Sequence, residues 1–70
     1  MRDPARIQAF CARLAVAWET VPDLRFGQFM CNMLGDYITQ TGRDPFFPED
    51  DEMIAFVEKY VREITGDTEK

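Results

Sequence analysis

The run Leu24-Arg25-Phe26-Gly27-Gln28-Phe29-Met30-Cys31-Asn32-Met33-Leu34-Gly35-Asp36-Tyr37-Ile38-Thr39 decides the fold. Projected at a helical pitch, its polar residues Arg25, Gln28, Asn32, Asp36 and Thr39 fall within an arc of roughly 80°. Leu24, Phe26, Gly27, Phe29, Met30, Cys31, Met33, Leu34, Tyr37 and Ile38 occupy the rest, and all are apolar or small. An ordinary surface helix buries a stripe of roughly 100°. This helix, expected over 24–39 with Asp23 as its cap, has far more to bury. It is either the central helix of the domain or the core of a dimer interface.

Upstream, Asp3-Pro4 pairs a cap acceptor with proline at a first helical position, which opens a helix over 4–20. Ile7, Phe10, Cys11, Leu14, Ala17, Trp18 and Val21 recur at three- and four-residue steps. Pro22 ends the helix, because the residue before proline is pushed out of the helical region. Downstream, Gly42 centres a turn, and the two prolines of Asp44-Pro45-Phe46-Phe47-Pro48 imply an extended segment over 44–48. In an extended chain Phe46 and Phe47 point to opposite sides, so at least one is expected to pack onto the helices. A third helix over 50–65 starts among Glu49, Asp50, Asp51 and Glu52, at the positive end of its dipole. Met53, Val57, Tyr60, Val61 and Ile64 form its expected buried face, Gly66 its terminator, and Thr68 to Lys70 should fray. The fold class is all-α, one small three-helix domain spanning 1–70.

The core of a 70-residue chain rarely supplies more than about 3–5 kcal/mol, so a disulfide, a metal or a partner chain commonly supports such a domain. Histidine is absent and the two cysteines, Cys11 and Cys31, are far apart, so a four-ligand zinc site is excluded within one chain. The start Met1-Arg2-Asp3-Pro4 lacks a signal-peptide apolar run, and no stretch approaches the roughly 18 apolar residues of a membrane helix. The expected setting is the cytoplasm, where thiols stay reduced. A partner chain is the support that remains.

The net charge of −5 is uneven. Residues 1–35 carry four arginines against three acids, and 36–70 carry four bases against ten acids. Clustered cations, which nucleic acid requires, are missing, so neither nucleic acid nor an anionic membrane is an expected partner. Asp44, Glu49, Asp50, Asp51 and Glu52 form an acidic patch. It lacks the spacing and central glycine of a calcium loop, so it reads as a favourably charged helix start. Arg25 in a first helical turn opposes the dipole, and a structural salt bridge to Asp50 or Asp51 would compensate it. Arg25, Gln28 and Asn32 share residue types with readers of base edges. Asp36 on the same face argues for a solvated stripe instead.

Cys11 and Cys31 read as inert core thiols. Met30, Met33 and Met53 read as core filler, Trp18 as a core anchor, and Gly27 as the mark of a close helix crossing. With neither His nor Ser in the chain, the common hydrolytic triads are excluded, and no cofactor site is expected.

Three blocks, Arg2-Asp3-Pro4-Ala5-Arg6-Ile7, Pro22-Asp23-Leu24-Arg25-Phe26-Gly27-Gln28 and Asp44-Pro45-Phe46-Phe47-Pro48-Glu49-Asp50-Asp51, resemble a family of small uncharacterised bacterial proteins. The resemblance implies a bacterial cytosolic origin and carries over no functional residue. The residues themselves point to a non-enzymatic protein-interaction module, a homodimer joined through helix two. Its interface candidates are Phe26, Phe29, Met30, Met33, Phe46 and Phe47. The rival reading is an acidic inhibitor or nucleic-acid mimic that blocks a basic site through the acidic patch.

Overall fold

The computed structural model describes residues 2–66 and contains three helices, α1 (Ala5–Glu19), α2 (Phe26–Thr41) and α3 (Asp50–Thr65), with no strand among the described residues. The expected fraying of Thr68 to Lys70 lies outside them. α1 opens as its sequence dictates: the Asp3 carboxylate accepts the Ala5 amide at 2.9 Å, and Pro4 sits at φ −64°. α3 keeps its expected bounds and ends on Gly66 at φ +73°, the left-handed conformation that glycine adopts without a Cβ penalty.

α2 is shifted two residues from its expected span. The Trp18 indole donates to the Leu24 carbonyl at 2.8 Å, and the Leu24 amide closes a turn onto the Val21 carbonyl at 3.1 Å. Leu24 is therefore held in the connection, and Asp23 is too far upstream to cap. Gln28 does that work instead, its Oε1 accepting the Arg25 amide at 2.8 Å. At the other end the helix runs through Thr41 until Gly42, at φ +69°, lets it stop.

The Pro-Phe-Phe-Pro segment is bent rather than extended. The Asp44 carboxylate accepts the Phe46 amide at 2.9 Å, and the Asp44 carbonyl accepts the Phe47 amide at 3.2 Å. Asp at the first position and proline at the second is the residue order a β-turn favours. The bend turns both phenylalanines outward: Phe46 is 82% and Phe47 68% exposed, and they pack edge-to-face on each other at 5.0 Å. Neither packs onto the helices.

α3, not α2, is the central element, with α1 and α2 each packed against it. It contributes Ile54, Val57, Tyr60 and Val61 to the core, α2 contributes Phe29 and Met33, and α1 contributes Ala17. Against the expected face of α3, Ile54 is buried, Met53 half-buried and Ile64 exposed, so the face is rotated toward α1. Phe29 is fully buried between Trp18 and Tyr60, with ring centroids at 6.0 and 6.1 Å. Trp18, half-buried, is the anchor its position suggested. Tyr37 is buried edge-to-face on Phe56 at 5.2 Å, its hydroxyl without a partner among the described residues. Cys11 and Cys31, expected in the core, are both free and exposed.

Candidate functional site

Two surfaces stand out, the acidic start of α3 and the outer face of α2. Intramolecular partners occupy most of the first. Arg2 meets Glu49 at 3.1 Å, Arg6 meets Asp50, and Arg43 lies 3.6 Å from Glu52. Asp44 caps its own turn, and Asp51 accepts the Glu52 amide at 2.9 Å. The expected bridge from Arg25 to Asp50 or Asp51 is not formed, and Arg25 enters no ion pair among the described residues. α1 rather than α2 lies beside the acids, so Arg6 takes Asp50. Each such exposed pair contributes about 0.2–1 kcal/mol.

Further along the α1–α3 seam, Arg13 grips Glu58 with two hydrogen bonds, Nε to Oε2 at 2.9 Å and Nη2 to Oε1 at 2.6 Å. That bidentate contact lowers the Glu58 carboxyl from its ordinary value and raises the Arg13 guanidinium. The folded-state pKa of Glu58 is depressed, so its contribution to stability is present above the unfolded-state value near 4.5 and is lost as pH falls through the folded-state value. Glu58→Gln should therefore lower the melting temperature by more at pH 7 than at pH 3. Thermal melts of both proteins at the two pH values measure this, and an equal deficit at both would show that the contact is not ionic.

A cleft of about 180 Å³ lies between α1 and α3, lined by Arg6, Phe10, Arg13, Asp50 and Ile54 among others. Ligand pockets for small molecules begin near roughly 300 Å³. Among the described residues no group of three or more Cys, Asp or Glu is placed to hold a metal ion.

α2 presents two contrasting flanks. On one, its polar residues are used inside the chain. Asp36 accepts from Gln40 at 2.9 Å, and Gln40 in turn accepts from Lys59 of α3 at 2.8 Å. Burial pushes the Tyr60 phenol up, the Asp36 charge adds to the rise, and a hydrogen bond with Asn32 acts against it. Arg25, Gln28 and Asn32 thus do not form a free polar reading face. The other flank makes no side-chain hydrogen bond or ion pair among the described residues. Gly27, Cys31, Gly35 and Ile38 are exposed there, and Leu34 at its edge is half-buried against the core. Phe26, 56% exposed, belongs instead to the inner side, its ring centroid 5.7 Å from that of Trp18. α2 contains one charged residue, Asp36, and it belongs to the polar flank.

Of the interface candidates, Phe29 and Met33 are buried in the core of their own chain and cannot face a partner. Met30 is half-buried against that core, and Phe26, Phe46 and Phe47 are exposed. Gly27 does not mark a crossing within the chain: a Cβ at Gly27 or at Gly35 would meet nothing within 4 Å. Each glycine inside a helix costs about 0.5–1 kcal/mol against alanine, and nothing inside the chain accounts for that cost. The surface residues that sequence reasoning left out of the interface candidates are Gly27, Cys31, Gly35 and Ile38. Their signal was the spacing of Gly27, Cys31, Leu34 and Ile38, four then three then four residues apart, as in a helix-pairing seam.

No protein-family model, curated protein or solved structure matches the chain. Among the described residues no helix is long and apolar enough to cross a membrane.

Proposed function

We propose that this chain is a small, non-enzymatic, cytoplasmic interaction module that self-associates through the outer flank of α2. One observation carries the reading: α2 is covered by its own chain on one side only, while its opposite flank is uncharged, half apolar and unpartnered. The core supports it. The eight buried apolar residues among those described make a thin interior for a free-standing domain, and pairing would extend it across two chains. The acidic-inhibitor reading is weaker, because Glu49, Asp50 and Glu52 already hold arginines of the same chain and have less charge to offer a basic site.

Multi-angle light scattering tests the proposal directly. At tens of micromolar the particle should have twice the 8.2 kDa chain mass, falling toward one chain on dilution. A single-chain mass across the whole range would remove self-association.

A further inference from the structure

We infer that two copies pair with their α2 helices antiparallel, Gly27 of one chain against Ile38 of the other and Cys31 against Leu34. The inference rests on the self-association proposed above and adds the partner, the direction and the register.

The seam residues Gly27, Cys31, Leu34 and Ile38 fall within roughly 60° of one another at a helical pitch, and they span roughly 17 Å of the helix. Their sizes alternate with direction: two small residues lie toward the N-terminal end and two large ones toward the C-terminal end. Reversal by a twofold axis places small against large in every layer, so that a hole in one helix receives a knob from the other. A parallel pair would instead set glycine on glycine and isoleucine on isoleucine, leaving a void at one end and crowding at the other. Antiparallel helices also bring opposite ends of their dipoles together.

A second copy suits this face better than another protein for two reasons. The chain carries a net charge of −5, so copies meeting through most other surfaces repel each other, and the seam of α2 carries no charge. The seam is also complementary to its own reverse, which is the requirement of a twofold interface. Gly27 fits the same picture, since it has open space around it in the single chain and faces a large side chain in the pair.

Disulfide trapping reads the register. A disulfide requires Cα atoms within roughly 7 Å, which the antiparallel register gives residue 27 and residue 38 of different chains but denies to two copies of residue 27 or of residue 38, roughly 17 Å apart along the axis. Cys11→Ser with Cys31→Ser removes both native thiols, and two further variants on that background carry Gly27→Cys or a size-tagged Ile38→Cys. Mixed and mildly oxidised, the two should give a linked band of mixed mass. Each variant alone should give little linked product. A strong link between two copies of Gly27→Cys, or between two copies of Ile38→Cys, would overturn the register in favour of a parallel pair. A light-scattering dimer with no mixed band would overturn it while self-association stood. A single chain at every concentration would sink both.

Discussion

Phe29→Ala should leave a chain with no cooperative thermal transition above 25 °C. The side chain is fully buried and joins all three helices, touching Trp18 at the end of α1 and Tyr60 on α3 from its own place on α2. Removing a buried phenylalanine costs about 3–5 kcal/mol in lost transfer energy and residual cavity. A domain this size has about the same amount to lose. Phe46→Ala is the control, since a ring 82% exposed contributes within about 0.5 kcal/mol. In a domain of this length 1 kcal/mol moves the melting temperature by roughly 4–8 °C, so near-ultraviolet dichroism melts separate the two variants without ambiguity. A Phe29→Ala protein melting within a few degrees of wild type would mean that the core is not centred on this ring.

The contrast between Phe29 and Phe46 also shows where the sequence was legible. Helix spacing and end signals placed α1 and α3 to within a residue, because Asp3, Pro4 and Gly66 act locally on their own backbone. The start of α2 was not legible, because it depends on a bond from Trp18, six residues away, to the Leu24 carbonyl. The bend at Asp44 had a local signal in the Asp-Pro order, but the flanking prolines also suit an extended chain. With the bend, both Phe46 and Phe47 face outward, where at least one was expected to pack onto the helices. The Arg25 bridge failed for a tertiary reason: periodicity gives the faces of each helix and not which neighbour lies opposite, and α1 lies beside the acids.

The candidate surface was half legible. The apolar excess of α2 is evident in the sequence, and so is the choice it forces between a central helix and an interface. The choice itself depends on tertiary packing order, which sets α3 in the middle and α2 at the side. Phe29 and Met33 satisfy the inner side. What remains for a partner is a narrower flank with smaller residues than the phenylalanines and methionines first singled out.

Ile38→Lys should abolish self-association and leave the fold intact. Ile38 is 50% exposed in the single chain, so the fold loses only a partial burial. A lysine in the last turn of a helix also gains about 0.3–1 kcal/mol from the dipole, which offsets part of that loss. In the pair the sign reverses. The twofold axis repeats the substitution, so two half-exposed isoleucines lose their burial, at roughly 1 kcal/mol each. Two ammonium groups must also be desolvated or displaced from the seam, at about 1–3 kcal/mol in total. The sum, roughly 3–5 kcal/mol, weakens the dimer by about 10²–10³-fold or more. Light scattering at the concentration where wild type is a dimer should return a single-chain mass. The melting temperature, compared under conditions where both proteins are monomeric, should stay within a few degrees. Phe46→Lys supplies the opposing test, because it puts the same charge on the other exposed apolar site. If Phe46→Lys dissociates the pair and Ile38→Lys does not, the contact lies at the Asp44–Phe47 bend and the outer flank of α2 is only surface.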